Sequence, residues 1–319
     1  MSNLPTYDQL PIDPKHPAHT AWGVWGEEDN LGTLNLLTAE CVAEASQCIK
    51  QGKIYALNWE LEQPNPPLFG RPAIKHHIQP HTEQKVSFDD MYDGFNPQSS
   101  SQWDGLRHVC HFPTLKFYNG VNPADVANGV GDRLGIHHMA RRGIAGRAVL
   151  LDFARWAEKH RPDFDPLQRH EVTVEELEQV AKEQGVTFKV GDILLVRTGW
   201  IAAYKKLGGG KYCEKFDYKN PSAAGVKACQ ETYAWIWNNH FAAVAGDVFA
   251  FEAFPPKSWD DSCHSMFLGA FGMPIGEMFD LDALAEDSAK DGVYEYFFTS
   301  APLNKLQGVA SPPNAICIK

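Results

Sequence analysis

The chain has 319 residues, of which 44% are hydrophobic, 12% aromatic and 22% charged, a profile that buries a large core and excludes disordered, collagen-like and coiled-coil proteins. Against 29 Lys and Arg stand 40 Asp and Glu, a formal charge of −11, which argues against nucleic acid or an anionic membrane as partner and for a small molecule. No basic segment followed by an apolar one opens the chain, and no run reaches the ~18 apolar residues of a membrane span, so a cytoplasmic protein is expected.

Residues 1–37, rich in Pro, Trp and Gly, read as an irregular arm laid on a body spanning 38–319. Thr38 is a suitable N-cap for a helix running to about Lys50, with Gly52 as its stop and a strand at 54–57. From Glu60 to Gly146 periodicity is weak, yet seven of the 13 histidines fall there: His76, His77, His81, His108, His111, His137 and His138. So long an irregular stretch points to functional loops and to short strands hidden among them.

Strand and helix then alternate. Residues 147–153 and 192–197 read as buried strands, and Thr173 with Glu176 makes a capping box for a helix ending at Gly185. Val226, Cys229, Tyr233, Ile236 and Trp237 lie at helical spacing before a strand at 242–246. A helix after His264, another near 282–289 and strands at 294–298 and 315–318 complete a single α/β domain.

The densest chemical cluster runs from Gln98 to His111. Asp104 and His108 are four residues apart with Gly105 between them, a spacing that brings a carboxylate and an imidazole to one cavity and suits metal-assisted hydrolysis. The same spacing also suits a hydrogen-bonded pair that only fixes a loop. His264 and Glu277 form a second pair, able to meet at one ion if a helix and a returning strand fold back. Trp25, Trp103 and Tyr118 are aromatic candidates for a substrate wall, although buried packing explains most such side chains. Gly208, Gly209, Gly210 and Lys211 lack phosphate-loop spacing and read as a loop, and His76, His77 and His81 as a surface tract. Seven scattered cysteines without a CxxC pair, Cys110 and Cys263 among them, read as structural thiols.

From Trp25-Gly26-Glu27-Glu28-Asp29-Asn30-Leu31-Gly32 to Ser311-Pro312-Pro313-Asn314, the chain resembles the cyclase family that includes bacterial kynurenine formamidases and isatin hydrolase. Asp104 and His108 resemble the aspartate and final histidine of its His-x-Gly-Thr-His-x-Asp-x-Pro-x-His motif, Gly191 to Trp200 a family strand, and His264 with Glu277 its distal metal pair. The departures are Gln98 and Gln102 in place of the two leading histidines, Ser100-Ser101 for Gly-Thr and Leu106 for Pro.

The resemblance implies a mixed, barrel-like sheet flanked by helices, of the swivelling β/β/α type, in a homodimer or homotetramer. It also implies a hydrolase of a carbonyl C–N or C–O bond, in a cyclic amide, a lactone or an N-formyl aromatic. Its metal would lie on Asp104, His264 and Glu277 with Gln102 as a fourth donor, and Gln98, Trp103, Tyr118 and Trp25 would face substrate. Asp104, His108 and Glu277 would carry the chemistry, His108 moving protons. Replacing imidazole by amide oxygen tilts such a site from Zn²⁺ towards Mn²⁺. The rival expectations are a metal-free acid–base cyclase, dehydratase or isomerase working through His108 and Glu277, and a binding protein that keeps the fold.

Overall fold

The computed structural model describes residues 4–127, 130–208 and 220–319. The strands are β1 (Ile54–Ala56), β2 (Lys75–Pro80), β3 (Phe88–Asp93), β4 (Gln102–Asp104), β5 (Ile144–Asp152), β6 (Glu171–Val172) and β7 (Ile193–Arg197). After these come β8 (Gly225–Val226), β9 (Ala243–Gly246), β10 (Ile275–Glu277), β11 (Glu295–Ser300), β12 (Ala310–Ser311) and β13 (Ala315–Ile318). The helices are α1 (Ala39–Ala45), α2 (Ile136–Arg142), α3 (Phe153–His160), α4 (Val174–Gln184), α5 (Trp200–Lys206), α6 (Gln230–Asn238) and α7 (Asp282–Asp291).

Nine strands form one curled, half-barrel sheet in the order β1-β13-β11-β5-β7-β9-β10-β4-β12. Its middle, from β5 through β7 and β9 to β10, is parallel, and both margins are antiparallel. Helices α1 and α4 pack on β5 and α3 on β7. Strands covered on both faces have no water side, which is why Val149-Leu150-Leu151 and Ile193-Leu194-Leu195-Val196 are unbroken apolar runs.

Local signals hold where they rest on side-chain chemistry. Thr38 caps α1 through the Cys41 N–H at 3.3 Å, and Thr173 and Glu176 form the reciprocal box that opens α4. Helix α1 stops at Ala45 rather than near Lys50, because Ser46 turns its hydroxyl back to the Ala43 carbonyl at 2.7 Å and a tighter turn follows. Val226 belongs to β8, and α6 begins only at Gln230.

The stretch with weak periodicity hides two devices. One is the β2–β3 hairpin, exposed on both faces and thus without an apolar alternation, where His76, His77 and His81 pair with Asp90, Asp93 and Asp89 at 2.7, 2.9 and 2.6 Å. The other is β4, a buried three-residue strand. The glycine run beginning at Gly208 continues outside the described residues. No helix among the described residues is long and apolar enough to cross a membrane.

The sheet carries a buried ion pair: Arg147 on β5 donates to both oxygens of Asp192 at 2.8 and 2.7 Å, with Asp192 only 1% exposed. Truncating the arginine leaves a buried carboxylate with the Lys189 N–H as its remaining hydrogen-bond donor. Arg147→Ala should therefore cost about 3–5 kcal/mol, read as a lowered urea midpoint with unchanged slope. A loss below about 1 kcal/mol would show that this pair is not a support of the sheet.

Candidate active site

The site is built on one strand pairing. Strands β4 and β10 run antiparallel with Gln102 opposite Glu277 and Trp103 opposite Gly276. Directly opposed residues share a face, and residues two apart along a strand share it too, so Gln102, Asp104 and Glu277 emerge together. Trp103 must then point the other way. It packs in the core against Phe279 and Phe298 and donates its Nε1–H to Ser300, so it is not a substrate wall.

His264 enters from the start of a π-helical turn, Ser265–Phe271, an unusual winding that recurs at functional sites. Its Nε2 lies 3.1 Å from Glu277 Oε1 and 3.9 Å from Asp104 Oδ2, while Nδ1 faces both oxygens of Glu252 at 2.9 Å. A carboxylate only accepts, so Nδ1 carries a proton and Nε2 is aimed at the other two acids. Burial alone would lower the His264 pKa; the Glu252 carboxylate outweighs it and, with Glu277, holds the ring well above its ordinary value. Glu252 in turn is held below its ordinary value because the His264 charge overcomes its burial.

Two amides bind this cluster. Gln102 donates from Nε2 to Glu277 Oε2 at 2.5 Å and to Asp104 Oδ2 at 3.3 Å. Gln98 donates from its Nε2 to Asp104 Oδ1 at 3.4 Å and to His108 Nδ1 at 2.9 Å. Turning the Gln98 amide over would set its oxygen against Asp104, so the carboxylate fixes its orientation. His108 consequently accepts at Nδ1 and carries its proton on Nε2, which lies 3.7 Å from Asp104. Burial pulls the His108 pKa below its ordinary value despite Asp104, so the ring is neutral at neutral pH.

Asp104, Gln102, Glu252, His264 and Glu277 are all buried, and three of them are carboxylates. Burial first, and then the Asp104 charge, raise Glu277 to about 7. Gln102 Oε1 has no hydrogen-bond partner among the described residues, and Glu277 Oε1 has only the His264 Nε2 beside it, at 3.1 Å. Buried acceptors without donors, beside surplus negative charge, are the signature of a cation site. Asp104, Glu277, the aimed Nε2 of His264 and a turned Gln102 amide supply three oxygens and one nitrogen, a donor set that fits an oxygen-preferring divalent ion. Asp104, His108 and His264 also lie within ligand spacing of one another, but His108 Nε2 is a donor in this arrangement.

Asp132, His137 and His138 have similar spacing. There His137 Nδ1 accepts the Gln307 N–H at 3.2 Å, which puts the proton on Nε2 and leaves neither ring nitrogen free to ligate.

A cavity of about 510 Å³ opens onto His108, His264 and Glu277 and is walled by Phe69, Phe112, Phe249, Phe254 and Trp259, with Arg71 beside them. Larger clefts, such as the one of about 640 Å³ beside Cys48 and Arg147, touch none of these residues.

Of the residues expected at the site, Gln98, Gln102, Asp104, His108, His264 and Glu277 come together. Tyr118 and Trp25 do not: the Tyr118 hydroxyl donates to Asp29 from a fully buried position, and Trp25 packs on Trp237. Burial raises the pKa of Cys110 and, well above its ordinary value, that of Cys263, so both are un-ionised thiols. Sequence reasoning missed Glu252 and Arg71. Glu252 had a signal, a single acid in the aromatic run Phe249-Ala250-Phe251-Glu252-Ala253-Phe254, since a buried acid is nearly always paired. Arg71 had none.

A model of the family described as "Putative cyclase" matches residues 24–253. Among solved structures, a novel cyclase is similar over 94% of this chain and 99% of its own, at 29% identity and a TM-score of 0.82. Isatin hydrolase A from Ralstonia solanacearum is similar over 84% of this chain and 92% of its own, at 15% identity and a TM-score of 0.60. An isatin hydrolase bound to the product analogue thioisatinate is similar over 88% and 98%, at 14% identity and 0.58. These last two share the fold. No curated protein sequence matches.

An ion at this site must displace protons from Glu277 and His264. Because Glu277 is raised to about 7, Mn²⁺ affinity should weaken as pH falls through 7, by about tenfold per unit for each proton displaced. Calorimetric titration across that range checks this, and a pH-independent affinity would remove Glu277 and His264 as ligands.

Proposed function

The chain belongs to this cyclase family, and from that premise we propose that it is a metal-dependent hydrolase of a carbonyl C–N or C–O bond in a cyclic amide, a lactone or an N-formyl aromatic. One observation carries the reading: the buried Gln102 Oε1 lacks a donor, beside the carboxylates of Asp104 and Glu277 and the His264 Nε2. Asp104, His264, Glu277 and Gln102 would hold the ion, with Mn²⁺ favoured over Zn²⁺ by the oxygen-rich set. Bound there, it would polarise the substrate carbonyl and lower the pKa of water.

The chain's own groups prepare that chemistry. Glu252 keeps the proton of His264 on Nδ1 and so aims Nε2 inward. Gln98 holds Asp104 and His108 together. The sequence reading gave His108 the proton of water. With Gln98 on Nδ1, its fitting part is that of a neutral donor, offering Nε2–H to the carbonyl oxygen as negative charge builds there. The aromatic wall excludes water and receives the ring of the substrate.

A second reading has its own support, since Gln102 Nε2, 2.5 Å from Glu277 and 3.3 Å from Asp104, sits where a cation would bridge the carboxylates. There the amide replaces the ion, and Glu277, raised to about 7, would work with protonated His264 as an acid–base pair in a cyclisation, dehydration or isomerisation.

Variants assayed on a panel of lactones, cyclic imides and formamides test the proposal. Asp104→Ala should lose both bound Mn²⁺ and turnover. His108→Ala should keep the ion and lose about 10²–10³-fold in kcat, as removal of an oxyanion donor does. Gln98→Glu accepts from Nδ1 and strips the proton from Nε2, so it should fall nearly as far. Full activity in Gln98→Glu would return His108 to the role of base.

A further inference from the structure

We propose that Arg71 makes the cavity selective for aromatic substrates that carry an anionic group, the guanidinium holding the anion while the wall holds the ring. The inference rests on the hydrolase reading only in calling that ligand a substrate.

The wall is ordered for a flat apolar body. Phe69 takes a left-handed φ of +59°, a conformation bulky side chains adopt only when their surroundings impose it. This sets its ring edge-on to Phe249 at 5.7 Å and to Phe254 at 5.6 Å. Trp259, 48% exposed, continues the wall at 6.2 Å from Phe254 and 6.1 Å from Phe112. A ring entering this space meets the face and edge contacts that aromatic groups prefer.

Arg71 is the polar exception in that wall. Its guanidinium lies 5.2 Å from the centroid of the Phe69 ring and donates to the Gln98 carbonyl, two contacts that fix its plane. A guanidinium has five N–H donors, and Arg71 forms no ion pair with any described residue. The acid that shares the cavity, Glu277, feels the Arg71 charge but directs its oxygens to Gln102 at 2.5 Å and to His264 at 3.1 Å rather than to the guanidinium. A stacked, partly buried fork with unused donors is the geometry that binds carboxylate, sulfonate or phosphate oxygens in pairs. His108 and the His264–Glu277 pair mark where the hydrolysable carbonyl belongs, so the anion sits on another position of the same ring system.

Calorimetry on the intact protein with phenylacetate and its neutral isostere phenylacetamide tests this without turnover. The acid should bind about tenfold or more tightly than the amide, the scale of one charge-assisted pair. Arg71→Gln should erase the difference while leaving the amide's affinity unchanged, which also shows that the wall still folds, and Arg71→Lys should keep part of it. Equal affinities, a preference that survives Arg71→Gln, or binding of neither compound would overturn the proposal. Where a hydrolysed substrate is found, Arg71→Gln should raise KM for charged substrates alone; a kcat loss shared by charged and neutral ones would place Arg71 at the reacting carbonyl and contradict it. A protein that prefers the acid yet hydrolyses nothing sinks the hydrolase reading and leaves this inference standing.

Discussion

Three carboxylates crowd one imidazole behind the β4–β10 pairing, and the arrangement of everything near them follows from keeping that charge buried. Asp104, Glu252 and Glu277 are nearly sealed from water. Isolated ionised acids would not stay charged there; they would take up protons or be neutralised by partners. The structure uses several partners at once: Glu252 is matched to His264, Asp104 shares two amides and the edge of His108, and Glu277 rises to about 7. Each partner was chosen by sheet register or by a turn. A one-residue slip of β4 would send Gln102 and Asp104 into the core and Trp103 into the site.

The two glutamines give the cluster a character that histidines would not. An amide is donor and acceptor in one group, so Gln102 can neutralise the carboxylates through Nε2 or, turned over, offer Oε1 to an ion that does the same work. The unsatisfied Oε1 records that second option. Gln98 has no such freedom, because Asp104 dictates its orientation and it dictates the proton position of His108. Glutamine at the two leading motif positions thus separates two tasks: Gln102 stays on the carboxylates that would hold an ion, and Gln98 sets the polarity of the imidazole that faces the cavity.

Much of this was legible in the residues. The central strands announced themselves as apolar runs because both faces are covered, and the α4 capping box because its two hydrogen bonds are local. The pairs Asp104 with His108 and His264 with Glu277 were found by spacing and by family resemblance, and they do meet. What the sequence hid depends on partners far along the chain. Strand β4 has three residues, too few to display a period, so Trp103 looked like a site residue although alternation beside Gln102 and Asp104 sends it to the core. Tyr118 and Trp25 are held by Asp29 and Trp237, contacts no local pattern reveals. The β2–β3 hairpin has no buried face, and Arg71 acquires meaning only from the ring it lies over and the cavity it borders.

On the proposed function, this cluster holds a divalent ion although glutamines stand at both leading motif positions. The most direct measurement is the metal-to-chain ratio of the purified protein by elemental analysis, after incubation with Mn²⁺ or Zn²⁺ and removal of free ion. One tightly held ion per chain, with Mn²⁺ retained in preference to Zn²⁺, is the predicted result. A folded protein that retains neither ion yet still turns over substrate would contradict the account and assign the chemistry to the acid–base pair of Glu277 and His264.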